Sequence, residues 1–361
     1  MNGMMLAFCP QEKDRLHDRC IHNSNCVGIG DDLDLPVVEL CRNLEIAGVE
    51  CHTYDMLPLD RFSGFVFFEM PKEDDAILLH AKRHSAATFL LIAENHFILP
   101  RNADFNRYSE FTAVFTYNDD AVARGLAHKI NYALSLSQPP EDGVTFDDRK
   151  LAVMISSRVK KNRPHLCSYL RIQAARFYET CHPESFDLYG PGWDKGTFLF
   201  QENPRVYRWI SLFKLNKLFP RHKYRHCWRG TVDRKRQVLG KYRFSYCYEN
   251  TVEIPGYITE KIFDVMMAGS VPIYLGHPST VKYIPKSCYI DRADFKDDVE
   301  LYTFISSMKE DAWRKYLDAV RDFLSGAANG PFSIPAYVKT LCDVIVPAMI
   351  HKRSISRERG A

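Results

Sequence analysis

An α/β protein of two domains, each a parallel sheet covered by helices on both faces, is what this sequence predicts. Three observations predict it. Short apolar runs of strand type alternate with segments of helical periodicity along most of the chain. A polar, proline-rich break, Gln138-Pro-Pro-Glu-Asp-Gly143, interrupts that alternation once, after which it restarts. A length of 361 residues suits two domains of ordinary size better than one.

In the first half, Leu35 to Ala47 carries Val37, Leu40 and Leu44 at helical spacing and stops at Gly48. Val49 to Tyr54 and Phe65 to Phe68 read as strands, the second ended by Pro71. Asp75 to Arg83 is helical, Thr88 to Ala93 and Val114 to Tyr117 are strands, and Ala121 to Leu136 reads as a helix. Past the break come a strand at Leu151 to Ile155, a helix at Ser168 to Glu179 and a strand at Phe186 to Tyr189. After a basic insertion follow a strand at Phe244 to Tyr248, a helix at Thr259 to Ala268, a strand at Val271 to Leu275 and two helices within Leu301 to Leu324. The domains are placed at 1–143 and 149–346, with a basic, disordered tail at 347–361. Two such domains leave a cleft, and ligands of open sheets bind beyond the carboxyl ends of the strands.

Composition narrows the class. Hydrophobic residues are 46% and charged residues 26%, which excludes a disordered or fibrous chain. A net charge of +3 carries no global nucleic-acid signature, and no nucleic-acid partner is expected. The 11 cysteines show no CxxC pair and no metal-like spacing with histidine, so they read as reduced, buried thiols and no metal site is expected. The apolar run Met4 to Cys9 is too short for a leader or a membrane span, and nowhere do 18 apolar residues run together, so a cytoplasmic location is expected.

The stretch Phe244 to Gly276 carries the chemistry. A buried strand ends at Glu249-Asn250, and a loop with Pro255-Gly256 leads to Thr259, a candidate N-cap. Glu260 and Lys261 open the helix, and Ala268-Gly269 closes it. A helix N-terminus at a strand-end cleft, with Lys261 in its first turn, suits a diphosphate. Glu260 would repel phosphate and is better placed to accept hydrogen bonds from sugar hydroxyls. Taken alone, Glu260 and Lys261 read either as solvated first-turn residues of an ordinary helix or as part of a nucleotide-sugar donor site.

Tyr248-Glu249-Asn250-Thr251, Tyr257-Ile258-Thr259-Glu260-Lys261 and Gly269-Ser270-Val271-Pro272-Ile273-Tyr274-Leu275-Gly276 together resemble the signature of glycosyltransferase family 10, the α-1,3/α-1,4-fucosyltransferases. Weaker similarity runs through Ser156-Ser157-Arg158, Tyr169-Leu170-Arg171 and Asp187-Leu188-Tyr189-Gly190. The resemblance implies a GT-B fold of two Rossmann-like domains facing each other across a cleft, the first for the acceptor and the second for GDP-fucose. It implies inverting transfer of L-fucose to an oligosaccharide or lipopolysaccharide-type glycan. By position, Arg171 and Lys261 would bind the donor diphosphate, and Asn250, Tyr257 and Glu260 would contact ribose, phosphate or fucose. No cofactor is implied beyond GDP-fucose as donor substrate, and a stimulatory divalent ion has no recognisable motif here. Another nucleotide sugar on the same scaffold and a non-catalytic binding protein are the competing readings.

Inverting transfer needs a general base for the attacking hydroxyl. Glu94 is the candidate, since it follows the apolar strand Phe89 to Ala93, and Leu91-Ile92-Ala93-Glu94-Asn95 resembles the family's strand that carries the proposed base. Asp31, Asp32 and Glu69 compete. Gly28-Ile29-Gly30 before the two aspartates is an incomplete dinucleotide pattern. Residues 205–229 are basic and aromatic, with Val206, Trp209, Ile210, Phe213 and Lys217 on one helical face. This segment reads either as a helix packed on its domain or as a peripheral contact with the inner face of a membrane.

Overall fold

The computed structural model describes residues 4–26, 32–140, 144–158, 165–198, 200–213 and 220–360. Gly28, Ile29, Gly30, Asp31, Gly143 and Lys217 lie outside them. The chain packs as two units, Met1–Ser135 with Gly330–Ala361, and Leu136–Asn329.

The first unit runs β1 (Met4–Cys9), α1 (Arg19–His22), α2 (Leu35–Ile46), β2 (Val49–Thr53), β3 (Gly64–Phe68), α3 (Ala76–Arg83), β4 (Ala87–Ile92), β5 (Ala113–Thr116), α4 (Asp119–Ala123) and β6 (His128–Lys129). Its strands lie in the order β2-β1-β3-β4-β5-β6, and every ladder is parallel. The order reverses between β1 and β3. The run Met4–Cys9, weighed above only as a leader, is an inner strand with Leu6, Ala7 and Phe8 fully buried. Continuous apolar strands without alternation are what a sheet covered on both faces requires. Asp75 caps α3, its Oδ1 accepting from the N–H groups of Ile77 and Leu78 at 3.1 and 3.0 Å.

The helix expected over Ala121 to Leu136 ends at Ala123. Gly125 adopts a left-handed φ of 70°, and the N–H of Leu126 closes back on the carbonyl of Ala121. That geometry terminates a helix and frees the chain for β6.

The second unit runs β7 (Lys150–Ile155), α5 (Ser168–Cys181), β8 (Phe186–Tyr189), β9 (Thr197–Phe198), α6 (Pro204–Leu212), β10 (Arg221–His222), α7 (Lys235–Leu239), β11 (Tyr242–Tyr248), α8 (Glu260–Met267), β12 (Val271–Leu275), β13 (Ile290–Asp291), α9 (Asp298–Ser307) and α10 (Glu310–Ser325). Its parallel sheet has the order β13-β12-β11-β7-β8, while β9 and β10 pair antiparallel apart from it. The strand order reverses between β7 and β11. Phe186, Phe244, Tyr246 and Ile273 fill its core, with Trp313 closing the edge through an Nε1–H bond to the carbonyl of Arg243.

The last helix, α11 (Ile334–Gly360), corrects two expectations. Residues 330–346 pack with the first unit, not the second, and the tail expected to be disordered is helical to Gly360. Tyr337, Leu341, Ile345 and Met349, four residues apart, form one face buried in the first core. Any Cβ at Gly64 would collide with the Met349 sulfur, so glycine there lets helix and strand approach. By length and composition alone Ile334–Lys352 could cross a membrane; 28% of that stretch is buried, including the face that enters the first core.

Candidate functional site

The switch point of the second sheet gathers the residues singled out from its sequence. β11 ends at Tyr248, and the next two residues, Glu249 and Asn250, turn away at the carboxyl edge. The carbonyl of Asn250 accepts from the N–H of Cys167 at 2.8 Å, which ties this turn to the start of α5. Arg171, one turn into α5, donates from Nη2 to the carbonyl of Tyr248 at 2.5 Å and to Asn250 Oδ1 at 3.2 Å. Asn250 Nδ2 lies 3.4 Å from the Tyr257 hydroxyl. Arg171, Asn250 and Tyr257 thus form one polar row across β11 and the loop that follows.

Beside that row lies a cluster the sequence did not single out. Glu249 is fully buried, with a side-chain exposure of 0%. Its carboxylate accepts from the Thr259 N–H at 2.8 Å, from the Thr259 hydroxyl at 2.8 Å, from the Tyr274 hydroxyl at 3.2 Å and from Lys261 Nζ at 3.2 Å. Lys261 Nζ also donates to Thr259 Oγ1 at 2.9 Å. A buried carboxylate demands partners of this kind; in sequence Glu249 shows only as the end of an apolar strand and as one position of the Tyr248-Glu249-Asn250-Thr251 motif. Thr259 is the N-cap residue, as its position predicts, yet its hydroxyl caps no backbone N–H of the first turn. Its Oγ1 accepts from the Lys261 ammonium instead while its proton points to Glu249, so the side-chain cap, though not the position, is corrected.

Charge is arranged in layers. Lys261 keeps 23% of its side chain exposed and faces Glu249 behind it. Burial works against its charge, but Glu249 and Glu260 outweigh burial and hold its pKa above the ordinary value. Burial also dominates at Arg171 and lowers its pKa, opposed by Glu249 and Glu260 among others. For Glu260 burial would favour the neutral acid, yet Lys261 and Lys235 prevail and lower its pKa. Lys235 reaches Glu260 at 3.7 Å and Asp264 at 3.5 Å, an ion pair that sequence reasoning missed because it joins α7 to α8. Two cations and an ionised carboxylate at a helix start can hold a dianion and orient hydroxyls together.

Gly269 ends α8 at φ 73°, with the N–H of Ser270 bonding the carbonyl of Val265. This turn returns the chain directly into β12, which carries Tyr274 back to Glu249.

Glu94 belongs to the first unit, two residues beyond β4. Its Oε1 accepts from the N–H and Nδ2 of Asn95 at 2.8 and 2.7 Å. Of its competitors, Glu69 lies against it, accepting the Glu94 N–H at 2.8 Å, whereas Asp32 bonds Ser24 and Asn25. Among the described residues no group of three or more His, Cys, Asp or Glu side chains could hold a metal, and none of the 11 cysteines forms a disulfide.

Residues 201–345 match the family model described as glycosyltransferase family 10 (fucosyltransferase), C-terminal. That segment belongs to glycosyltransferase family 10. The α-(1,3)-fucosyltransferase FucT of Helicobacter pylori is 38% identical over 74 residues, 20% of this chain and 15% of that one. The α-(1,3)-fucosyltransferase 7 of Rattus norvegicus is 37% identical over 90 residues, 24% of each chain. The chain therefore spans under a quarter of the length of these curated relatives. A crystal structure of an α1,3-fucosyltransferase with GDP-fucose aligns over 94% of this chain and 90% of that one, with TM-score 0.50 and 15% identity. HepE of Anabaena in complex with UDP and glucose aligns over 95% and 99%, with TM-score 0.52 and 11% identity. At these identities the likeness speaks to fold, and the fold is GT-B with two Rossmann-like units.

Proposed function

We propose that this protein is an inverting fucosyltransferase that moves L-fucose from GDP-fucose to a hydroxyl of an oligosaccharide or lipopolysaccharide-type glycan, in α-1,3 or α-1,4 linkage. The observation that carries the reading is Lys261, backed by buried Glu249 and set beside Arg171, at the switch point of a parallel sheet inside the segment of the fucosyltransferase family. In this mechanism the acceptor oxygen attacks the anomeric carbon as the bond to GDP breaks. Lys261 and Arg171 meet the charge that develops on the departing diphosphate. Asn250, Tyr257 and Glu260 contact ribose, phosphate or fucose, with ionised Glu260 accepting from hydroxyls. Glu94 takes the acceptor proton as general base. A single displacement inverts the anomeric centre.

A transfer assay with GDP-fucose over N-acetyllactosamine-type and lipopolysaccharide-type acceptors tests this, with product linkage determined. Turnover of UDP-sugars or GDP-mannose in place of GDP-fucose would refute the donor. A peripheral membrane contact on the cytoplasmic side, through 205–229, belongs to the same reading. α6 buries Tyr207 and Ile210 but exposes Trp209 by 63%, Leu212 by 70% and Phe213 by 61%, with Arg205 and Arg208 beside them. No acidic residue occurs from 203 to 232, a composition that suits an anionic lipid surface. Sedimentation with anionic vesicles at low salt should carry the protein down, and neutral vesicles should not.

A further inference from the structure

Glu69 follows β3 at the edge of the first sheet's switch point, next to the residue proposed as base. It adopts φ 69°, a left-handed conformation that glycine takes freely and glutamate seldom does. There its Oε1 accepts from the backbone N–H groups of Ala93 and Glu94 at 3.1 and 2.8 Å. Its Oε2 accepts from Asn102 Nδ2 at 2.5 Å. Asn102 completes the frame: Nδ2 also donates to the Glu94 carbonyl at 2.9 Å, and Oδ1 accepts from the Met70 N–H at 3.0 Å. Tyr108 holds Asn102 in turn, its hydroxyl donating to the Asn102 carbonyl at 3.0 Å. The Tyr132 hydroxyl fixes the Ala93 carbonyl at 2.6 Å.

We propose that Glu69 is a positioning residue: with Asn102 it locks the peptide on both sides of Glu94, so that the Glu94 carboxylate keeps one aim toward the acceptor hydroxyl. The inference rests on Glu94 being the base. A strand end alone would leave the Ala93 and Glu94 N–H groups to a solvated turn, and the direction of a side chain two residues past a strand would vary with it. Three side chains from β3's end, the 100–103 turn and the 105–110 turn remove that freedom. A 1 Å error in a reacting group is costly to rate and nearly silent in donor binding.

The test measures kcat, acceptor KM and GDP affinity for Glu69→Ala, Glu69→Gln, Asn102→Ala and Glu94→Gln, using GDP-fucose and an acceptor turned over by the wild type. Glu69→Gln keeps an oxygen for the Ala93 and Glu94 N–H groups but turns its amide N–H toward the Asn102 donor, so it should lose less kcat than Glu69→Ala, which should lower kcat about tenfold or more; GDP affinity should stay within about twofold in both. Asn102→Ala should resemble Glu69→Ala and stands in if that variant does not fold. Wild-type kcat in Glu69→Ala or Asn102→Ala overturns the proposal, as does a loss of GDP affinity in them that matches the loss of kcat. A fully active Glu94→Gln would instead remove the base assignment beneath it.

Discussion

In the second unit, buried Glu249 meets Thr259, Lys261 and Tyr274 within one run of strand, loop, helix and strand. In the first unit, Glu94 is framed by Glu69, Asn102, Tyr108 and Tyr132, which come from separate segments, and the core beneath them is finished by a helix from the far end of the chain. The difference is one of contact range. The Glu249 cluster draws on one short piece of chain, which Arg171 joins from α5. The base-side frame draws on separate segments between Glu69 and Tyr132, in a unit whose core α11 completes. Perturbations far away in sequence should therefore reach Glu94 and leave the donor cluster alone.

Leu341→Ala presses hardest on this contrast. A fully buried leucine of α11 should cost the first unit about 2–5 kcal/mol. Calorimetry should show the transition of that unit falling while a transition protected by GDP stays in place. Movement of both together would break the comparison. Glu94→Gln comes next: kcat should fall on the order of 10² or more with GDP affinity nearly unchanged. Lys261→Ala is its counterpart in the other unit. It should weaken GDP about tenfold to a hundredfold by removing a charged donor, with activity falling in step.

Two smaller effects sharpen the contrast. Burial pushes the Glu69 carboxyl up to about 7 from an ordinary 4.5, against the pull of its N–H partners. The folded chain then keeps a proton that the unfolded chain releases, so the contribution of Glu69 to stability is full below about pH 4.5 and is lost as pH rises toward 7. Glu69→Gln should gain on the wild type in thermal stability between pH 5 and pH 8, at roughly constant ionic strength. Gly269→Ala should cost about 1 kcal/mol, the strain of a side chain at left-handed φ, and should lower the transition of the second unit alone.

Legibility in the sequence followed the same division. Tyr257 to Lys261 and Gly269 to Gly276 stand in one line of text, and the helix and strand read there are present. Arg171 was reachable only through resemblance, since one arginine on a helix has no local mark. Glu249 was visible as part of a motif, but its burial and its hold on Thr259 and Lys261 depend on packing that spacing does not encode. The frame of Glu69 and Asn102 spans more than thirty residues, and no periodicity announces it. Strand β1 was passed over because six apolar residues at a chain start look alike in a leader and in a sheet. The end of α4 turned on Gly125, where a left-handed residue outranked the apolar spacing beyond it.

The return of α11 to the first unit also orders events during synthesis. A ribosome makes residues 1–135 long before Leu341, Ile345 and Met349, so the sheet of the first unit lacks part of its cover until α11 has emerged. The second unit has no such wait and can close as soon as α10 is out. The unit made first would finish last, and nascent chains stalled short of residue 341 should present its apolar β-sheet face to chaperones.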